Sequence, residues 1–152
     1  MLALAALTAS ALLPATAQAA PAPVGFSGQA TDTAEVSGLG FDHAFTNLGT
    51  WTATGALSGS FNVSEQTWLS GFSVHCVDTL TPVTGEAGTI TVGVNAKFVG
   101  STTQYGFFSG TWTITSGTGA YANLTGNGEY TGVIDRFAQP RTITETLTGH
   151  GS

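Results

Sequence analysis

The feature that most constrains this chain is a long alternation of apolar and small polar residues over positions 50–63. Odd positions carry apolar or small side chains, from Trp51 to Phe61, and even positions carry mostly Thr, Ser and Asn. A period of two places successive side chains on opposite faces of an extended strand, so the segment predicts a strand with one apolar face. Gly55 and Gly59 keep the phase, and we interpret them as bends or bulges within one bent strand.

Further alternating segments follow, each bounded by residues that favour turns. Apolar residues share one parity in 90–98, 108–114, 130–134 and 143–147. Turn signals lie at 38–40, 81–85, 100–103, 117–119, 126–128 and 138–140. The Asn127-Gly128 pair is typical of a two-residue hairpin turn. Because the sequence has no segment with a sustained helical period, it predicts an all-β chain of about eight to ten strands, in a sandwich or a barrel.

The N-terminal segment has a different composition. Residues 2–14 are rich in Leu and Ala, and the small-x-small triplet at 17–19 precedes a Pro-Ala-Pro stretch. This pattern is typical of a secretory signal peptide, and the apolar run is too short to span a bilayer. It differs from the usual signal in having no Lys or Arg before the apolar run; a disordered Ala-rich tail is the alternative. We expect a signal peptide over 1–19, one domain over 20–152, and a secreted protein, extracellular or periplasmic.

The charge balance limits the expected partners. The chain has nine acidic residues against three basic ones, Lys97, Arg136 and Arg141, for a net charge of −6. Binding of phosphate groups depends on Lys and Arg, so we expect neither a nucleic acid nor, after signal cleavage, a membrane as partner.

The cysteine and histidine content argues against a metal or thiol site. Cys76 is the single cysteine, so no intramolecular disulfide forms; we expect it to be buried and inert, with intermolecular pairing as the alternative. His75 should point to the opposite face of the same strand. His43, His75 and His150 lack metal-ligand spacing, and we expect neither metal nor cofactor. For Asp42-His43 a solvated loop histidine is favoured over a general acid–base pair.

One segment carries a family resemblance. Residues 110–128, GTWTITSGTGAYANLTGNG, combine a strand that ends in Gly-Thr-Gly (117–119), an aromatic residue at Tyr121 and a Gly-x-Gly at 126–128. This resembles the glycine-rich core of the allene oxide cyclase and dirigent-type barrels. The resemblance implies a single eight-stranded antiparallel barrel of calycin-like shape, with an internal cavity and a tendency to form trimers. It carries no catalytic residue over to this chain.

Two acidic residues and one arginine are candidate catalytic groups. Glu145 shares parity with Ile143 and Leu147. If this face points into the barrel, burial would raise the pKa of Glu145 and make it a candidate acid or base. The alternative is that the Thr row faces inward or that Glu145 sits at the mouth of the barrel. Asp78 is a second candidate near the cavity, although its place before a turn favours capping. Arg136 would bind a carboxylate ligand, or, as favoured, form a salt bridge at the rim.

Aromatic residues are the candidate ligand contacts. Trp112, Tyr121 and Tyr130 would line the lumen and stack on a small apolar or phenolic ligand, or simply fill the core. Trp68 is expected to be exposed. Three functions stay open: a binding module for such a ligand, a structural or cell-surface barrel with a filled lumen, and a cofactor-free isomerase or cyclase that uses Glu145 with Asp78 or Arg136.

Overall fold

The computed structural model describes residues 20–37 and 43–152, in which eight antiparallel strands close into one barrel. The strands are β1 (Ala22–Ser37), β2 (His43–Gly55), β3 (Gly59–Ser70), β4 (Ser73–Pro82), β5 (Ile90–Ser101), β6 (Tyr105–Gly117), β7 (Gly126–Asp135) and β8 (Thr142–Gly151). Each strand pairs with its neighbours in sequence, and β8 pairs with β1. The predicted all-β class and eight-stranded antiparallel barrel are confirmed. The expected signal peptide lies outside the described residues.

The barrel has two different ends. The turns that follow β3, β5 and β7 lie at one end, which we call the mouth end. The turns that follow β2, β4 and β6 lie at the other, together with the start of β1 and the end of β8; we call this the closed end. Among the described residues, no helix has the length and apolar character needed to cross a membrane.

The closed end is filled by aromatic side chains. Phe26, Trp51, Phe61 and Trp112 are each 1% exposed. The Phe26 and Trp112 rings meet edge to face at 5.7 Å between centroids, and Tyr121 packs on Phe61 at 6.3 Å. Tyr121 belongs to a short 3₁₀ turn that joins β6 to β7 and closes this end. Aromatic rings of this size bury more apolar area than any other residue, so the closed end holds most of the core.

The long alternation over 50–63 is a hairpin rather than one bent strand. β2 ends at Gly55 and β3 begins at Gly59, and both glycines have positive φ, +84° and +143°, a region that L residues rarely adopt. Trp51 pairs directly with Phe61 across the hairpin. Because paired residues in an antiparallel ladder point to the same face, the parity of the apolar residues continues unchanged through the turn.

The hairpin turn predicted at Asn127-Gly128 is also wrong. Both residues lie inside β7, where Asn127 pairs with Thr113 on one side and His150 on the other. The change of direction occurs earlier, at 118–125, because the 3₁₀ turn and its loop already reverse the chain. A Cβ at Gly128 would collide with the backbone of Thr148, so this glycine serves close packing of β7 on β8.

Candidate functional site: a mouth cavity above a buried carboxyl cluster

A cavity of about 440 Å³ opens at the mouth end of the barrel. We call it the mouth cavity. Its wall is mainly apolar and comes from six strands and two turns: Phe45, Leu69, Gly71, Phe72, Val74, Phe98, Phe108, Ile134, Arg136 and Arg141. A smaller space of about 30 Å³ lies deeper, shares part of this wall, and adds the polar residues Asp32, Asn47 and Thr67. The cavity therefore has apolar sides and a polar floor.

Stacked aromatic rings give the wall its shape. Phe72 stacks on Phe98 with centroids 6.1 Å apart, and Phe98 meets Phe108 edge to face at 5.8 Å. Phe98 and Phe108 face each other directly across β5 and β6. Each ring is held by its neighbour, so an apolar molecule that entered would meet a largely formed aromatic surface.

Two of the three basic residues of the chain line this cavity. The Arg136 guanidinium lies 6.0 Å from the Phe98 centroid, and the Arg141 guanidinium lies 4.8 Å from that of Phe45. Arg141 Nε is also 2.7 Å from Asp32 Oδ2. Arg141 therefore forms an ion pair with Asp32 at the rim, whereas the sequence favoured a rim ion pair at Arg136.

Three carboxyl groups are buried in the middle of the barrel. Glu65, Asp78 and Glu145, which we call the carboxyl cluster, are each 0% exposed. Glu65 and Asp78 are direct partners across β3 and β4, with both side chains inside. The turn-capping interpretation of Asp78 is therefore wrong, whereas Glu145 faces inward as its parity indicated. Like charges in directly paired positions repel, so Glu65 and Asp78 do not ionise together at low cost.

The hydrogen bonds of the cluster are incomplete. The Tyr130 hydroxyl donates to Glu145 Oε1 at 2.7 Å, and the Thr67 hydroxyl donates to Glu65 Oε1. Within the described residues, Glu65 Oε2, Glu145 Oε2 and both carboxyl oxygens of Asp78 are buried with no hydrogen-bond partner. The Tyr130 contact depends on a glycine, since a Cβ at Gly132 would collide with the Tyr130 hydroxyl.

Burial favours the neutral form of these groups. It is the main cause that raises the pKa of Asp78 and Glu145 well above the usual range, and it also raises the pKa of Glu65. The charges of Glu145 and Glu65 add to the rise at Asp78, and the Tyr130 hydrogen bond opposes it at Glu145. A buried carboxylate without a cation is costly, so burial disfavours three charges in the cluster at once.

The floor of the cavity separates it from the cluster. Asn47 Nδ2 lies 3.4 Å from Thr67 Oγ1, and Thr67 in turn contacts Glu65 and, at 3.6 Å, Cys76 Sγ. Cys76 is fully buried, as predicted, and burial raises the pKa of its thiol well above the usual range. None of the three cluster residues lines the mouth cavity. Asn47 and Thr67 line only the smaller space beneath the mouth cavity, and the carboxyl cluster lines neither.

The three aromatic residues proposed from the sequence as ligand contacts lie elsewhere. Trp112 is packed in the closed end, where its indole Nε1 donates to the Thr148 carbonyl at 3.2 Å. Tyr121 covers the closed end, and Tyr130 is 1% exposed beside the cluster. The cavity wall is instead made by phenylalanines that sequence reasoning did not single out: Phe45, Phe72, Phe98 and Phe108.

Sequence reasoning also missed Glu65, although a signal for it was present. Glu65 continues the parity of Phe61 and Val63, the same argument that pointed to Glu145. Asp42 and the side chain of His43 lie outside the part of the chain that the structure describes. Among the described residues, no group of three His, Cys, Asp or Glu side chains is arranged to hold a metal ion.

A second depression, of about 410 Å³, lies on the outer wall of the barrel. Trp68, 42% exposed, borders it and stacks on His75 at 5.7 Å, and His75 Nδ1 is 2.9 Å from Asn95 Oδ1. Trp68 is exposed, as expected, and His75 faces away from Cys76.

Comparison with protein-family models, with curated proteins and with solved structures finds no match for this chain. The barrel class therefore rests on the strands and their pairing. Membership of the allene oxide cyclase and dirigent-type barrels remains a prediction from residues 110–128.

Proposed function

We propose that this protein is a small-molecule-binding barrel that holds an apolar or phenolic ligand in the mouth cavity. The supporting observation is the cavity itself: about 440 Å³, walled by stacked phenylalanines, with a smaller space beneath it that three polar side chains line, those of Asp32, Asn47 and Thr67. Its volume falls within the roughly 300–1,000 Å³ of small-molecule sites, and its composition is typical of them. The leader-like segment at 1–19 supports export, and we propose that binding takes place outside the cytoplasm.

The arginines favour a ligand with one acidic group. Arg136 is exposed at the opening, beside the Phe98 ring, and Arg141 is already paired with Asp32. An apolar molecule in the cavity would place a terminal carboxylate or phenolate near Arg136, which offers up to five N–H donors. Asn47 and Thr67 would meet the opposite end of the molecule.

Binding is better supported than catalysis. A cofactor-free isomerase would need Glu145, with Asp78 or Arg136, around one substrate. Neither acid lines the mouth cavity, and Arg136 lies at its rim. A barrel that is filled throughout would leave no mouth cavity. The filled-lumen alternative agrees with the packed rings of the closed end but not with the open space at the mouth end.

Two fluorescent probes test the proposal. N-phenyl-1-naphthylamine is neutral and 8-anilinonaphthalene-1-sulfonate is anionic, and both brighten in apolar surroundings. We expect both to bind the wild-type protein at one site. Leu69→Trp, which places an indole in the cavity, should weaken both by about tenfold or more, because it occupies the volume that the probe needs. Val83→Trp, at an exposed closed-end position, is the matched control.

Arg136→Gln tests whether the charge of Arg136 contributes to ligand binding separately from the apolar wall. It should weaken the anionic probe by about three- to tenfold and leave the neutral probe unchanged, since a charge-assisted contact is worth roughly 1 kcal/mol at an exposed site. Lys97→Gln removes the same charge without touching the cavity wall and should change neither. If Leu69→Trp and Val83→Trp bind both probes equally well, the mouth cavity is not the binding site.

A further inference from the structure

The mouth end carries a ring of exposed apolar side chains. Phe72 follows β3, Val99 lies near the end of β5 and Phe137 follows β7, and they are 67%, 63% and 62% exposed. Tyr105, at the start of β6, is 37% exposed at the same end. Single exposed apolar residues are ordinary, but several at one end of a small protein mark an interaction surface. We call Phe72, Val99 and Phe137 the rim tips.

Elsewhere on the described surface of the barrel no comparable group occurs. Seven large apolar side chains are exposed among the residues that the structure describes, and four of these are at the mouth end. Of the other three, Leu48 and Trp68 lie on the outer wall and Val83 at the closed end. Outward positions of the strands are otherwise mainly Thr, Ser and Asn. The apolar ring is therefore a local feature of the end that surrounds the cavity.

We propose that the mouth end docks on a lipid surface, with the rim tips inserted between the headgroups. Phe72 and Phe137 belong to separate turns and Val99 to the last part of β5, so the tips are separate projections around an opening and not one continuous patch. A protein partner needs a continuous complementary area of roughly 800 Å² a side, whereas a fluid lipid layer accommodates separate projections. Apolar side chains such as Phe, inserted to the headgroup boundary, give peripheral binding of this kind through buried apolar area.

The charges at this end are compatible with lipid headgroups. Lys97, Arg136 and Arg141 all lie in the mouth half of the barrel, and long cationic side chains can bury their stems while the charge stays among phosphates. Two nearby acids are engaged within the protein: Asp32 with Arg141, and Asp135 with Gln104 and the turn amides.

The net charge of −6, on which the expectation of no membrane partner rested, overstates the repulsion. Three of the nine acidic residues, those of the carboxyl cluster, lie inside the barrel, where burial favours their neutral form. Insertion of apolar side chains also requires no net attraction between charges, so the fitting surface is a zwitterionic lipid layer.

Docking would place the cavity opening against the lipid. An apolar ligand dissolves in acyl chains far better than in water, so it would enter or leave the barrel without crossing the solvent. This route for the ligand rests on the proposed function. The docking itself rests only on the rim tips.

Sedimentation with vesicles of phosphatidylcholine tests the docking. We expect the wild-type protein to partition onto the vesicles, and the double variant Val99→Ser/Phe137→Ser to lower the partition coefficient by about tenfold or more. Neither residue lines the mouth cavity. Leu48→Ser/Val83→Ser is the matched control, since these side chains are 53% and 52% exposed but lie away from the rim. The control should stay within about twofold of the wild type.

The same variants distinguish this proposal from the ligand site. Val99→Ser/Phe137→Ser should still bind the neutral naphthylamine probe in lipid-free buffer, so loss of vesicle binding alone supports docking by the rim. Wild-type protein that binds the probe but no vesicles overturns the docking and leaves the ligand site intact. A wild-type dimer in analytical ultracentrifugation that the rim variant abolishes, without vesicle binding, overturns it in favour of a second copy of the chain. Equal loss in the control variant also overturns it.

Discussion

The closed end and the mouth end of this barrel are built from the same eight strands, yet one is a packed core and the other a cavity. At the closed end, Phe26, Trp51, Phe61 and Trp112 meet ring to ring and the 3₁₀ turn covers them. At the mouth end, the phenylalanines line a wall around about 440 Å³ of space. The backbone pattern is common to both ends, so the size of the inward side chains and the cover over them make the difference.

This comparison shows how one small barrel combines stability with a binding site. Interiors are packed to nearly crystalline density, and an open cavity forgoes the contacts that packing would supply. Concentrating the large rings at one end keeps a stable core, while the other end keeps its space. The carboxyl cluster lies between the two ends. Its buried oxygens without hydrogen-bond partners lose their contacts with water and gain none in the protein, so this layer stabilises the fold least.

The largest expected effect comes from removing a ring at each end. Trp112→Ala should lower the free energy of unfolding by about 3–5 kcal/mol, because it leaves a cavity in the packed core. Phe108→Ala, which enlarges an existing cavity, should cost less than half as much, roughly 1–2 kcal/mol. Urea unfolding followed by circular dichroism measures both. Equal costs would show that the mouth end is packed as tightly as the closed end.

The next effect concerns the pH dependence of the middle layer. Burial raises the pKa of Asp78, so the folded state keeps a proton that the unfolded chain releases. The stability linked to this proton is present below the unfolded carboxyl pKa, near 4, and is lost as the pH rises toward the raised folded pKa. Asp78→Asn removes the titrating carboxyl group and with it this loss of stability at high pH. The variant should be more stable than the wild type at pH 8, by about 1–3 kcal/mol, and show a flatter profile of melting temperature from pH 4 to 8.

Asp135→Asn is the control of opposite sign. Hydrogen bonds from the Phe137 amide and Gln104 lower the pKa of Asp135, so its contribution is present above the unfolded pKa and lost as the pH falls. The substitution should therefore slightly reduce stability at pH 8. A wild-type protein whose stability rises from pH 4 to 8, with no gain from Asp78→Asn, would mean that the cluster is ionised and compensated.

The smallest effect is expected at the rim ion pair. Arg141→Gln removes the contact with Asp32 and the stacking on Phe45, but the arginine is 36% exposed and its charge is screened by solvent. The loss should stay below about 1 kcal/mol in the same urea experiment. A cost that matches that of Trp112→Ala would show that the mouth end depends on this pair for its shape.

Much of the fold, and less of the site, follows from the alternation along the chain. Parity made Glu145 a candidate for the interior but left open whether its face or the Thr row points inward, and the same reasoning extended to Glu65 would have found a second candidate. Parity could not locate the turn at 55–59, since a hairpin and a bend preserve the same alternation of apolar residues. The Asn127-Gly128 pair forms no turn, because β7 pairs through these residues with both neighbouring strands. The preference of Asn-Gly for a turn was outweighed by the hydrogen bonds that β7 forms with both neighbouring strands.

The sequence by itself determined the all-β class, the faces of most strands and the burial of Cys76, because these depend on a period of two that is local to each strand. Only the tertiary structure decided that Glu65 lies opposite Asp78, that four phenylalanines form a cavity wall while Trp51 and Trp112 lie in the core, and that the rim tips share one end. Those facts depend on register and on closure of β8 against β1, which join residues far apart in the chain. Side-chain identity sets what each position can bury, but only the closed ladder sets which positions meet.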